Sequence, residues 1–286
     1  MINRIILSGK KELVLRGRAL IMGILNLTPD SFSDGGQCLT PESALIKARQ
    51  LVADGADILD LGAESTRPGA VQLSPAKEQS RLLPALDLIS RELSVPLSVD
   101  TYHPETAEQA ILHGADIIND INGLQDQYEP GAMAQIAAKY KAPVICMHNQ
   151  DLTEITGDLC EEIRRYFKQS IAIAARAGIA KDKLILDPGI GFGKTSGQCL
   201  EILQNLSELL LIDNTAYPLL LGVSRKSFIG KTLDLPLPER LEATGAACLW
   251  GLSHGATILR VHDVKEIKRM VKMWEAIKYY KPESNS

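Results

Sequence analysis

Short runs of Ile, Leu and Val recur along the chain. Each is followed by a polar or glycine-rich turn and then by a longer stretch whose apolar positions have helical spacing. The runs predict strands at 20–26 (LIMGILN), 57–62 (DILDLG), 97–100 (LSVD), 116–119 (DIIN), 143–147 (PVICM), 183–187 (KLILD), 218–223 (PLLLGV) and 257–261 (TILRV). The amphipathic stretches predict helices at 41–54, 75–92, 104–113, 130–140, 160–177, 198–211, 239–253 and 264–278. Continuous rather than alternating apolar strands imply burial on both faces, as in a parallel sheet. Gly55-Ala56-Asp57 and Gly114-Ala115-Asp116 stand at helix-to-strand junctions, where a C-cap glycine feeds the next strand. Strands and helices alternating eight times give the α/β class, and within it a single-domain (β/α)8 TIM barrel. An open doubly wound sheet is the weaker reading, since no G-x-G-x-x-G follows the first strand. Residues 1–16 are expected to form a short hairpin over the barrel's bottom, residues 17–281 the barrel, and 282–286 a tail.

Composition narrows the class of protein. The chain has 286 residues, 45% apolar and 23% charged, which one barrel accommodates. A net charge of −4 and a pI near 5.8 argue against a general nucleic-acid binder. No apolar run is long enough to span a bilayer, and Ile5-Ile6-Leu7 stops at Ser8-Gly9-Lys10, too short for a signal peptide. The five cysteines (Cys38, Cys146, Cys160, Cys199, Cys248) are scattered without a C-x-x-C pair. They read as free thiols in a reducing compartment, the cytoplasm.

The strands end in Asn26, Glu64 with Ser65-Thr66-Arg67, Asp100, Asn119-Asp120, Met147-His148, Asp187, Ser224-Arg225-Lys226-Ser227 and Arg260-Val261-His262. In a barrel these ends converge on one face, where active sites are built. Any one of them could be a turn or N-cap residue, and for Asp120, Asn122 and His148 the two readings weigh equally. Turn formation does not explain the whole set. Asp100, Asp187 and Asn119 can pair along an aminopyrimidine edge while Lys226 donates to a ring carbonyl. Arg260 and His262, two apart on a strand end, face one side and suit a phosphate. Asn26 offers a hard oxygen to Mg2+.

Other motifs carry less. The segment 188–195 (PGIGFGKT) resembles a P-loop but has Pro188 where the first glycine belongs. Its glycines are expected to let backbone approach a flat ligand, with Phe192 as a wall. His103 and His113 lack metal-ligand partners at useful spacing and read as surface or helix histidines. The apolar stripe with Trp250 and Trp274 reads as core or subunit contact.

The stretches NLTPDSFSDGG (26–36), GAESTRPGA (62–70), SVD (98–100), INDINGL (118–124), LDPGIGFGKT (186–195), GVSRKSFIG (222–230) and RVHDV (260–264) together resemble dihydropteroate synthase, in order and over nearly the whole barrel. The resemblance implies a transferase of folate biosynthesis, and a target of sulfonamides. It would condense 6-hydroxymethyl-7,8-dihydropterin diphosphate with p-aminobenzoate to 7,8-dihydropteroate and pyrophosphate. It further implies Asn26 for magnesium and diphosphate, and Thr66, Arg260 and His262 for diphosphate. Asp100, Asn119, Asp187 and Lys226 would hold the pterin, with Met147 and Phe192 as apolar walls. Ser227, Phe32 and Pro68 would hold p-aminobenzoate, and Asp34 and Arg67 would complete the site from loops at 27–38 and 63–73, expected to be mobile without substrate. The catalytic set is then Asp34, Arg67, Lys226, Arg260 and His262. Met147-His148-Asn149-Gln150 departs from the family, which often has Met and Gly there. A homodimer through 239–253 and 264–278 is implied too. Two rivals are a corrinoid-linked pterin methyltransferase, which needs neither diphosphate grip nor arylamine site, and a non-catalytic pterin binder, in which Asn26, Asp34 or Arg67 should have decayed.

Overall fold

The computed structural model describes residues 2–7, 11–15, 17–28, 40–64, 72–209 and 211–281. In chain order the strands are β1 (Arg4–Ile6), β2 (Glu12–Val14), β3 (Leu20–Asn26), β4 (Ile58–Gly62), β5 (Leu97–Asp100), β6 (Ile117–Asp120), β7 (Val144–Met147), β8 (Leu184–Asp187), β9 (Leu211–Ile212), β10 (Thr215–Ala216), β11 (Leu220–Leu221) and β12 (Ile258–Val261). The α-helices are α1 (Pro41–Asp54), α2 (Pro75–Glu92), α3 (Pro104–Leu112), α4 (Ala132–Tyr140), α5 (Leu159–Ala177), α6 (Ser196–Gln204), α7 (Ser227–Leu233), α8 (Leu241–Ser253) and α9 (Val264–Lys278).

Eight strands form one parallel sheet in the order β11-β12-β3-β4-β5-β6-β7-β8. The sheet closes on itself where Leu186 bridges Leu219 and the Leu186 N–H donates to the Pro218 carbonyl at 2.9 Å. This is the expected barrel. Its interior follows from strand alternation, since every second side chain points inward. Leu20, Met22, Ile58, Ile117, Ile145, Ile185, Leu220 and Ile258 make a dry lower layer. The alternate residues, among them Ile21, Leu59, Leu61, Val99, Ile118, Leu186 and Leu259, pack outward in the cluster shared with the helices.

Below the lower layer, β1 and β2 pair antiparallel with Ile5 opposite Leu13. Ile5, Leu7, Leu13 and Leu15 join the inner cluster and floor the barrel. Lys11 fastens the hairpin through a 2.8 Å ion pair to buried Asp116, whose same oxygen accepts from the Leu97 N–H at 3.0 Å.

Two expectations need correction. The helix expected over 198–211 ends at Gln204; a 3-10 turn over Leu206–Leu209 and the β9–β10 hairpin follow. The hairpin turn is Asp213-Asn214, both at positive φ (45° and 61°), the pair type that a two-residue primed turn prefers. In addition, 227–233 forms the short helix α7, which the apolar pattern did not suggest.

Candidate functional site

Two residues above the dry layer, on the same inward face, the strands become polar. Ile58 is followed by Asp60, Ser98 by Asp100, Ile117 by Asn119, Ile185 by Asp187 and Ile258 by Arg260, while Ile145 is followed by Met147 and Leu220 by Gly222. Register brings Asn26 beside Gly62, Gly62 beside Asp100 and Asp100 beside Asn119. Sequence alone therefore predicted most of this upper layer, and missed Asp60.

Asp60 is fully buried and organises its neighbours. It accepts from Arg260 Nε at 2.6 Å and from Asn119 Nδ2 at 3.2 Å. Arg260 Nη2 donates to Asp100 Oδ2, also at 2.6 Å. Burial pushes the Asp100 carboxyl up to about 7 against the opposing charge of Arg260. Its other oxygen, Oδ1, is buried without a hydrogen-bond partner among the described residues, which is costly unless something else supplies a donor. Burial also raises Asp187, opposed by Lys226; its Oδ1 accepts from the Gly189 N–H at 2.7 Å. Burial lowers Lys226 to about 8, opposed by Asp187. Its Nζ donates to the Ile190 carbonyl and lies 4.7 Å from the Phe192 ring centroid. A Cβ at Gly222 would meet Lys226 Nζ, Asp187 Oδ2 and the Arg260 Cβ, all at 3.9–4.0 Å. The inward glycine thus keeps open the space on which these groups converge.

Two of the three glycines of 188–195 bring the loop against neighbouring backbone. A Cβ at Gly189 would lie 2.0 Å from the His148 carbonyl oxygen, and one at Gly193 would lie 2.6 Å from that of Gln150. They let this loop press against the backbone of the segment after β7, while Gly191, where a Cβ would lie 3.3 Å from Lys226 Cδ, borders the polar layer. Lys194 cements the contact, with Nζ at 2.9 Å from His148 Nδ1, 2.8 Å from the Phe192 carbonyl and 3.1 Å from that of Gly189. Burial, then the Lys194 charge, depresses His148 to about 3, so its neutral ring can accept. Asp120 accepts from the Asn122 and Leu124 N–H groups at 2.8 and 2.7 Å, and Asn122 Nδ2 donates to Asp126. Both shape the β6–α4 loop.

Asn26 is half-buried at the tip of β3. Exposed His262 has Nδ1 3.0 Å from Ser224 Oγ. Ser227 is exposed in the first turn of α7. Met147 is buried and Phe192 partly so. His103 starts α3 with Nε2 3.6 Å from Glu64, and His113 Nδ1 lies 2.8 Å from Asp87. Phe32, Asp34, Thr66, Arg67, Pro68, most of the two loops expected to be mobile and the tail 282–286 lie outside the described residues. An open cleft of about 870 Å³, lined by Tyr102, Asn122, Tyr128 and Asn149 among others, lies apart from this ring. Among the described residues no cluster of three or more His, Cys, Asp or Glu could hold a metal ion. A single amide at Asn26 fits an ion held mainly by phosphate oxygens and water.

Residues 22–262 match the pterin binding enzyme family. Over 275 residues the chain is 44% identical to dihydropteroate synthase of Bacillus subtilis, covering 96% of this chain and 94% of that protein. A dihydropteroate synthase structure from Clostridium difficile, determined in the presence of pteroic acid, aligns with a TM-score of 0.85 at 45% identity, covering 92% of this chain and 98% of that one. The Xanthomonas albilineans enzyme with 4-aminobenzoic acid aligns with a TM-score of 0.90 at 37% identity, covering 98% and 99%.

Proposed function

The chain belongs to the dihydropteroate synthase family, and from that premise we propose how its own residues carry the reaction. The enzyme joins 6-hydroxymethyl-7,8-dihydropterin diphosphate to p-aminobenzoate, giving 7,8-dihydropteroate and pyrophosphate. The carrying observation is the unpartnered Asp100 Oδ1, which shares one polar layer with Asp187, Asn119 and Lys226 around the space left by Gly222. Asp100, Asn119 and Asp187 take the N–H edge of the pterin and Lys226 its ring carbonyl, with Met147 and Phe192 as walls. Asn26, Thr66, Arg260 and His262 hold the diphosphate. Phe32, Pro68 and Ser227 hold p-aminobenzoate, and Asp34 and Arg67 complete the site.

The arylamine nitrogen attacks the pterin methylene carbon, the C–O bond breaks, the diphosphate leaves with the electron pair, and the nitrogen then gives up one proton to solvent. Arg260, held by Asp60 and Asp100, is a fixed positive charge facing that anion, and a preorganised charge needs no rearrangement as the reaction proceeds. His262 adds a donor from the same strand end. Holding both substrates in line removes much of the entropic barrier, and no covalent enzyme nucleophile is required. Magnesium, which Asn26 would help to hold, supplies further positive charge to the departing diphosphate when bound.

The assay is pyrophosphate release from the pterin diphosphate, with and without p-aminobenzoate and Mg2+. Release that needs both is expected; release without the arylamine, or none at all, would overturn the reading. A homodimer through α8 and α9 is supported by half- to largely exposed Trp250, Met273 and Ile277. A cytoplasmic setting is supported by the buried free thiols of Cys146, Cys160, Cys199 and Cys248. Among the described residues no helix is long and apolar enough to cross a membrane.

A further inference from the structure

We propose that Arg225 and Asp263 are a positioning pair that ties the loop after β11 to the loop after β12, and so aligns the arylamine with the diphosphate during transfer. The proposal rests on the assignment of Lys226, Ser227, Arg260 and His262 given above.

Arg225 is not a glycine, yet it adopts the left-handed region at φ +56°. A long side chain is disfavoured there, and such a conformation persists only where its surroundings over-determine it. Here they do. The Arg225 N–H donates to Thr244 Oγ1 at 3.0 Å, and its carbonyl accepts from Arg240 Nη1 at 3.1 Å. Its guanidinium forks onto Asp263, Nε to Oδ2 at 2.8 Å and Nη2 to Oδ1.

Asp263 is unusual in a complementary way. It stands at the N-cap of α9, where an aspartate ordinarily accepts from the helix's first free N–H groups. It makes no such side-chain cap bond, and both carboxylate oxygens face Arg225 instead. Helix stability has been surrendered for the link between loops. One residue earlier on each loop a second rung forms, with Ser224 Oγ accepting from the His262 N–H at 3.2 Å and lying 3.0 Å from His262 Nδ1. Lys226 and Ser227 follow Arg225 directly, and Arg260 and His262 precede Asp263. The fork therefore fixes the separation between groups assigned to different substrates. Two parallel hydrogen bonds set an angle as well as a distance, which a lysine cannot do.

A pair serving only to anchor α9 would change stability and nothing else, which makes the two roles separable. Arg225→Gly keeps the left-handed backbone without steric cost and removes the guanidinium. Asp263→Asn keeps the size of its side chain and removes its charge, and Arg225→Lys keeps charge without the fork. Steady-state kinetics with each substrate varied, calorimetry with 6-hydroxymethyl-7,8-dihydropterin and thermal unfolding are measured for these three and for the double variant Arg225→Gly/Asp263→Asn. Each single variant is expected to lose about 10- to 100-fold in kcat/KM for p-aminobenzoate, Arg225→Lys included, as small misplacements of reacting groups do. Dihydropterin affinity should stay within about threefold of wild type, and the double variant should fall no further than the worse single one. The proposal is overturned if kcat/KM for p-aminobenzoate stays within about threefold in a folded Asp263→Asn, whatever its melting temperature, or if the two losses multiply in the double variant. Should Arg225→Gly not fold, the near-isosteric Asp263→Asn decides alone. Failure of the functional assignment shows separately, as absence of pyrophosphate release from the wild-type chain in the same assay.

Discussion

Replacing Asp100 with asparagine tests the polar layer at its most exacting point. Asp100 Oδ2 is committed to Arg260 Nη2 at 2.6 Å, and Oδ1 is the buried acceptor awaiting a donor. In Asp100→Asn the arginine claims the only oxygen. The amide NH2 must then occupy the Oδ1 position and meet the ligand's own N–H groups. A hydrogen bond to a charged group contributes about 1.5–3 kcal/mol, so affinity for pteroic acid should fall roughly 10- to 150-fold at about 1.4 kcal/mol per decade. A pH profile provides the second half of the test. With Asp100 titrating at about 7, its acceptor charge is mostly present at pH 7.5 and nearly gone at 5.5. Wild-type affinity should therefore drop about 25-fold between these values if only the anion binds, while Asp100→Asn should lose this contribution and give a nearly flat profile. Linkage without ligand runs the opposite way. An acid whose folded pKa is raised contributes stability that is full below its unfolded value near 4 and lost as pH rises through about 7. Calorimetric titrations of both proteins at the two pH values suffice. An unchanged affinity in Asp100→Asn, or a wild-type pH dependence that survives the substitution, would refute the reasoning.

Three further outcomes are expected. Asp60→Asn leaves Arg260 Nε and Asn119 Nδ2 competing for one oxygen, and breaking a buried pair typically costs about 3–5 kcal/mol; urea unfolding should show a loss of that order, and a loss near zero would remove Asp60 from its organising role. Lys194→Met removes the bonds to Gly189, Phe192 and His148, so pterin affinity should weaken by about tenfold, the net value of one or two hydrogen bonds; a change in the KM for p-aminobenzoate alone would contradict this. Leu13→Ala hollows the barrel floor and should cost about 2–5 kcal/mol in unfolding free energy, with kcat/KM at 25 °C within about twofold of wild type because the floor is at the opposite end from the site.

The barrel was legible because its signals are redundant. Eight two-sided apolar runs, each with polar residues at or just past its C-terminal end, admit few other arrangements, and strand-end position alone selected Asp100, Asn119, Asp187, Lys226 and Arg260. Asp60 escaped because it stands inside the run ILDLG and ends nothing. Counting by twos from Ile58 would have placed it on the inward face, one level below Gly62. The partners of Arg260 were invisible for another reason: Asp60, Asp100 and Arg260 are far apart along the chain and meet only because β12, β3, β4 and β5 stand side by side in the curved sheet. Helix α7 was overlooked because only seven residues separate Lys226 from Asp234, too short a stretch for a period to show. The β9–β10 hairpin announced itself in Asp213-Asn214, but the apolar residues Leu209 and Leu211 extended the preceding helical pattern past its end.

The barrel is a hoop with a clasp. Its strands are joined by ladders everywhere except between β8 and β11, where the isolated Leu186–Leu219 bridge, with its hydrogen bond from Leu186 to Pro218, completes the circle. β11 itself pairs with β12 through only two residues. The clasp lies between Asp187 on one side and Gly222 and Lys226 on the other, so a pterin held as proposed by Asp187 and Lys226 would span the join. The ligand then acts as a missing rung, and it should slow amide exchange at Leu186 and Leu219 more than anywhere on β3 or β4. In a barrel so joined, a substrate held there would finish the wall that holds it.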